Sequence, residues 1–377
     1  RSFLVDQMGR LERTKSQLQA SILSLVTILF LSLSVSASEA VDTSSTEGKF
    51  NAGELIIHHV LDAHEIHIVD GLSIPLPMIL FTENGMDVFN YSVFLNEGHE
   101  PTQHYTSNAT GNVYAYHHGH PMIIGDDGEE LAHVGWGINE HSFLDMSITK
   151  NVVGLLLSLG LMLWMFLSVA KAYKSNNNGA PRGFQSFVEP LILFVRDEIA
   201  KPSIGNNHNR YMPFLLTVFF FIWIGNLLGL VPFLGGLNVT GNIAVTAVLA
   251  VFTFLITSVI ANKGYWKHMV APPGVPVWLL PIIVPIEIFG MFNKPIVLCL
   301  RLFANITAGH IIILSFTCLI FIFNDLSGPG TAYGVSVGTV LFSIFMTCLE
   351  LLVAFLQAYV FTLLSALYFG QAIEDHH

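Results

Sequence analysis

Charge is scarce in this chain. Only 11% of its 377 residues are Asp, Glu, Lys or Arg, against about 25% in an average soluble domain. That rules out a conventional solvated surface. With 52% hydrophobic residues, the chain reads as a polytopic membrane protein whose apolar faces meet lipid. Basic residues are the scarcer sign: 16 Lys and Arg against 27 Asp and Glu, for a formal net charge of −11. Nucleic acid needs the opposite balance, so no such partner is expected. Cysteine is nearly absent. Cys299, Cys318 and Cys348 all lie in apolar runs, which excludes a disulfide framework or a zinc site and leaves small core residues. No Gly-rich loop ending in Gly-Lys-Ser/Thr occurs, so the chain carries no nucleotide site of that kind.

What is present begins with Arg10, Arg13 and Lys15 ahead of an apolar run from Ala20 to Val35 and a small-residue Val35-Ser36-Ala37 pattern. This predicts a secretory signal peptide over residues 1–37, with a first membrane helix as the alternative. Between Ser38 and Thr149 stand 17 acidic residues, one basic residue (Lys49) and 11 of the 16 histidines. Residues 38–145 are therefore expected outside the cytoplasm. The apolar spacing suits a short amphipathic helix over 53–68. A small β-rich insertion over 72–134 follows, with strands at Leu72–Phe81, Asp87–Leu95 and Val113–His118 broken by Asn84-Gly85, Asn96-Glu97-Gly98 and Asp126-Asp127-Gly128. His64-x-x-His67 and His117-His118-Gly-His120 have usable metal spacings, but histidine-rich loops often bind nothing specific, so neither a metal nor another cofactor is expected. Structural cover or contact with another polypeptide is favoured for this region. Proton collection near an entry mouth is the alternative.

Residues 146–377 form the membrane part, an all-α domain with five spans. The first is Asn151 to Ala170, ending at Lys171, Lys174 and Arg182. Basic residues mark the cytoplasmic side. Phe184 to Ile199 reads as an amphipathic helix along that surface. The second span is Met212 to Val231, and a turn over Pro232–Asn242 lies outside. The third is Ile243 to Ala261, ending at Lys263 and Lys267. Val277 to Phe292 is broken by Pro281 and Pro285 and is too short to cross alone. It is expected to continue obliquely into the run from Lys294. The last two runs, Pro295–Phe323 and Val335–Phe369, are separated by an Asn324–Gly330 loop. Both are overlong for a hydrocarbon core of about 30 Å, so strong tilting is expected. Five crossings from an outer N-terminal region leave the C-terminus inside.

The polar residues in these runs carry the chemistry. Arg301 has apolar sequence on both sides, and an arginine at mid-membrane costs from about 3 to more than 10 kcal/mol. It does not deprotonate. At about 100° per residue, Asn305 shares the face of Arg301, whereas His310 lies on the opposite face. Glu350 and Gln357, about 700° apart, share one face of the last helix. Arg301 and Asn305 can thus face an external partner while His310 faces the Glu350 stripe. An imidazole and a carboxylate in an intramembrane cleft suit a proton relay. A buried His–Glu hydrogen bond that only joins the helices is the plainer reading. A fixed cation beside titratable groups suggests proton conduction interrupted at the arginine. A carboxylate on a moving neighbour would carry protons past it.

Leu300-Arg301-Leu302-Phe303-Ala304-Asn305, with Lys294-Pro295 upstream and Leu356-Gln357-Ala358-Tyr359-Val360-Phe361 near the end, closely resembles subunit a of the F-type ATP synthase. The resemblance extends to Leu55–Val60, Gly183-Phe184-Gln185 and Asn242–Thr246, and covers residues 50–68 and 135–377. It implies that Arg301 is the stator charge facing the carboxylate of the c-subunit ring, with Asn305 and Gln357 beside it. His310 and Glu350 match the polar pair of the external half-channel, with the two residue types exchanged relative to many bacterial members. Glu287 matches a carboxylate at the cytoplasmic exit, and Asn242 stands where some members have Asp. Implied partners are the c-ring, b-type peripheral stalk subunits, the lipid bilayer and translocated H⁺. The implied location is the cell inner membrane. A stand-alone secondary transporter would show an inverted repeat, and none is visible. A haem-bearing subunit would need several intramembrane axial ligands, and His310 is the one histidine well inside a span.

Overall fold

The computed structural model describes residues 52–53, 56, 62–69, 72–95, 104–117, 120–125, 130–135, 142–175, 183–231, 236–270 and 276–373. The expected signal peptide lies outside these residues, as do residues 54–55 and 57–61 of the expected 53–68 helix, of which residues 53 and 56 are helical. The end of that helix does not form: Glu65–Val69 is a strand, β1, paired antiparallel with β2, Leu72–Pro75. Glu-Ile-His-Ile-Val alternates polar and apolar residues, and period-two alternation wins where a pairing partner lies three residues on.

Beyond this hairpin the N-terminal module is a seven-stranded sheet. Its strands are β3 (Pro77–Thr82), β4 (Gly85–Asn90), β5 (Tyr105–Thr106), β6 (Val113–His117), β7 (His120–Ile124), β8 (Glu130–Val134) and β9 (Ser142–Asp145), in the spatial order β4-β3-β9-β8-β7-β6-β5. Only β8 and β9 pair in parallel. The expected strand Leu72–Phe81 is divided at Leu76, and that over Asp87–Leu95 ends at Asn90, where a 3₁₀ turn (Tyr91–Phe94) begins under an Asn90 cap. The Asn84-Gly85 turn forms, with Gly85 at φ 130. Met78, Leu80, Phe89, Phe94, Tyr114 and Phe143 fill the module's core. Asp87, fully buried, accepts hydrogen bonds from the hydroxyls of Ser107, Thr110 (2.5 Å) and Tyr114 (2.6 Å). Three donors compensate a carboxylate that would otherwise be costly to bury.

The chain then enters the membrane domain through α1 (Lys150–Ser175). Helix α2 (Phe184–Phe194) runs through a π-turn (Val195–Ala200) into α3 (Lys201–Ile204) and, after a break at Gly205, into α4 (His208–Gly229). Gly205 has φ 71, a left-handed conformation that favours glycine. The remaining helices are α5 (Ile243–Ile260), α6 (Lys263–Val270), α7 (Leu280–Ser327) and α8 (Pro329–Ile373). Among the described residues, five helical stretches are long and apolar enough to cross a membrane.

Two elements differ from the sequence expectation. The α2 segment is not merely laid on a surface: Val188, Val195 and Ile199 are fully buried, Phe187 stacks on Trp223, and Phe194 packs against Phe355 and Tyr359 of α8. Its apolar residues outnumber what one amphipathic stripe needs, so it buries more than one side. The expected loop over Asn324–Gly330 contracts to Gly328 (φ 84), and α7 and α8 form a hairpin of two very long helices. The expected continuation from the proline-broken run into the Lys294 run does occur. Pro285 and Pro295 lie inside one 48-residue helix.

Candidate functional site

The outward face of α7 carries Arg301 and Asn305, both exposed, while Leu302 and Ile306 are buried. One turn of spacing puts the polar pair on one stripe and the apolar pair on the next. Among the described residues Arg301 makes no ion pair. Tyr368 of α8 lies within its electrostatic reach.

The opposite face of α7 meets α4 and α8. Glu350 is buried, and its carboxylate fills the space beside Gly309. A Cβ built there would collide with Oε1 and lie 3.0 Å from Cδ and 3.1 Å from Cγ. The next residue is His310, whose Nε2 is 3.7 Å from a Cβ built on Gly229 of α4. Both oxygens of Glu350, and the hydroxyl of Thr307 one turn before His310, are buried without a hydrogen-bond partner. Gln357, two turns after Glu350, is also buried. Between them the carbonyl of Ala354 accepts a 3.3 Å bond from the amide of Asn226, which in turn accepts from the Thr240 hydroxyl. Asn226 is an intramembrane amide that sequence reading passed over. An asparagine in an apolar helix has no periodic signature, and only the third dimension gives it a partner. The same holds for Lys150, the first residue of α1. It is buried and within electrostatic reach of Asp62, Glu65 and His310.

About 10 Å from Arg301 along α7 in the other direction, at 1.5 Å per residue, Lys294 donates a 3.1 Å hydrogen bond to Gln371 and lies 5.0 Å from the Tyr368 ring centroid. It borders a small, half-open pocket lined also by Thr253, Thr257, Ser258, Tyr265 and Tyr368. Glu287, exposed, is within electrostatic reach of Lys294 and Tyr265. Asn242 stands at the start of α5. Its side chain caps α5, accepting from Ala244 N at 2.9 Å. Among the described residues no three His, Cys, Asp or Glu side chains come together to hold a metal ion.

A family model described as ATP synthase A chain matches residues 152–370. The chain belongs to that family. ATP synthase subunit a of Chloroherpeton thalassium is 45% identical over 240 residues, covering 62% of this chain and 69% of that protein. The protein of the same name from Pelodictyon phaeoclathratiforme is 38% identical over 347 residues, 90% of this chain and 82% of that protein, so its similarity takes in the β-module. ATP synthase subunit a of Myxococcus xanthus is 46% identical over 246 residues, 62% of this chain and 75% of that protein. A second model, described as a domain of unknown function, matches residues 55–146. Family membership and five apolar helices make this a multi-pass, proton-translocating subunit of the ATP synthase membrane sector.

Proposed function

We propose that this subunit forms two offset proton half-channels against the c-ring, with Arg301 separating them. The observation that carries the reading is the division of α7 into two faces and two ends. Arg301 and Asn305 are exposed on one face. His310 and the Glu350 carboxylate lie inside, toward the end of the domain that bears the β-module, and the Lys294 cavity lies toward the opposite end. His310, Glu350 and Gln357 then serve the outer half-channel, and Asn242 is assigned to the same path on the family resemblance alone. The Lys294 cavity and Glu287 serve the cytoplasmic exit.

In this reading a ring carboxylate is held ionised while it faces Arg301, because an adjacent opposite charge favours the charged form. It takes a proton from the outer relay before it enters lipid, where desolvation favours the neutral acid. It releases that proton toward the inner cavity after nearly a full turn. A potential of 100 mV supplies about 2.3 kcal/mol per charge, enough to bias the direction. Helices α7 and α8, of 48 and 45 residues, reach about 72 and 68 Å at 1.5 Å per residue. They exceed a bilayer core of about 30 Å, which supports strong tilting along the ring. The proposed setting is the cell inner membrane, with a signal peptide over residues 1–37, the module outside and the C-terminus in the cytoplasm. The b-type peripheral stalk subunits hold the stator fixed. The test is Arg301→Ala in inverted vesicles. Loss of ATP-driven acidification with a normally assembled ring is expected. Retained pumping refutes the assignment.

A further inference from the structure

The β-module does not stand clear of the membrane domain. Asp62 Oδ1 accepts from the backbone N of Asn151 (3.1 Å), Lys150 N donates to Ala63 O (2.8 Å), and Ile148 N donates to Pro77 O (3.1 Å). These bonds close a seam at the top of α1. Inside the seam lies His64, only 4% exposed. Its Nδ1 is 3.0 Å from the Tyr116 hydroxyl, and its ring stacks on Tyr91 and meets Tyr116 edge-on. Among the described residues its Nε2 has no hydrogen-bond partner; it lies 3.7 Å from Asp145 Oδ2. Glu65 is half-buried, yet one of its carboxylate oxygens is enclosed and unpaired. Lys150 forms the floor, within electrostatic reach of Asp62 and Glu65 above and His310 below.

We propose that this seam is the proton-entry vestibule of the outer half-channel, so that protons reach His310 by way of His64, Glu65 and Asp145 of the β-module. The inference rests on His310 acting as the outer relay. A buried imidazole nitrogen left unpaired costs stability, and a group that must accept and pass on a proton needs a free site. The proton count balances simply: one H⁺ arrives on an imidazole nitrogen or a carboxylate oxygen, one leaves toward the membrane, and no redox partner is required. The neighbours suit the task. Burial pushes the Tyr91 and Tyr116 hydroxyls well above the usual tyrosine range, so they remain neutral. Burial also works against the Asp145 carboxylate, but the nearby His64 ring and the hydrogen bond from Ser147 outweigh it and hold the group below the usual carboxylate range. An uncompensated ammonium at Lys150 would repel arriving protons. Asp62 and Glu65 offset that charge.

The test uses the complete ATP synthase carrying His64→Gln with Glu65→Gln, reconstituted in liposomes, with ATP synthesis driven by an imposed proton gradient. Copurification of the c-ring reports assembly. The assembled double variant is expected to lose about a hundredfold or more in rate, within the range a positioned proton-transfer group contributes, and Glu65→Asp is expected to keep most of the parental rate. A smaller loss in the assembled double variant overturns the vestibule. Should that variant fail to assemble, Glu65→Gln alone, at a half-exposed position, is judged by the same threshold. Arg301→Ala with the seam intact is run in parallel. If it still pumps, the half-channel reading fails. If it is inactive while the seam variants run at the parental rate, only the vestibule fails.

Discussion

Replacing Gly309 by alanine separates stability from transport. The added methyl would collide with Oε1 of Glu350 and lie 3.0 Å from its Cδ. The obstacle is the end of a flexible side chain, so the fold survives by moving the carboxylate. The helix gains about 1 kcal/mol from exchanging glycine for alanine, and the displaced glutamate costs about 0.5–1.5 kcal/mol in rotamer strain. The two nearly cancel, so the subunit should assemble in normal amounts. Transport should not survive in the same way. Restoring ordinary contact requires a shift of the carboxylate by about 1 Å, and misplacement on that scale costs around a hundredfold in a positioned reaction. The assay is ATP-driven acidification of inverted vesicles, normalised to assembled complex. Gly160→Ala is the control, because a Cβ at that position in α1 meets nothing within 4 Å. Pumping by Gly309→Ala above about a tenth of the parental rate, with the complex intact, would refute a proton-relay role for Glu350 at its present position.

Other outcomes follow from the packing. Asp87→Asn turns an amide NH₂ toward hydroxyls that now donate to the carboxylate, and should destabilise the module by about 2–4 kcal/mol, seen as faster protease nicking in intact membranes. Gly370→Val should prevent assembly, since even a Cβ there collides with the Ser203 carbonyl oxygen, a backbone atom that cannot swing away. The amount of ring-bound subunit checks this. Asp145 is held below its usual pKa of 3.8 in the folded module, so its contribution is present above the unfolded value and is lost as pH falls through the lower folded value. Asp145→Asn should therefore reduce module stability at neutral pH and flatten the acid limb of a protease-susceptibility profile.

The membrane helices were legible because an apolar run of about 20 residues has few alternatives in lipid, and the faces of α7 were legible because helical angle follows from residue spacing. Leu302 and Ile306 are buried and Arg301 and Asn305 exposed, as that spacing required. Boundaries were less legible. The residues over Asn324–Ser327 are turn-formers in isolation, yet helix continues through them because the packed hairpin gains more from another turn than a loop would. In the β-module the aromatic strands are readable in the sequence, whereas residues 65–68 read as the end of a helix because apolar spacing in a short segment fits either period. Residues defined by what they meet left no trace in sequence. Gly309 matters because Glu350 needs the room, and Asn226 because a carbonyl of α8 lies opposite.

The bare guanidinium of Arg301 bears on biogenesis. Until a ring docks, a newly inserted subunit presents a permanent charge on the flank of an otherwise apolar helix, and contact with acyl chains there costs several kcal/mol. In the proposed reading the ring carboxylate relieves that penalty, so the residue proposed to separate the half-channels also marks orphan subunits as incomplete. Membrane quality control then has a physical handle for removing them: an unassembled copy carries an uncompensated charge on the face proposed for its partner.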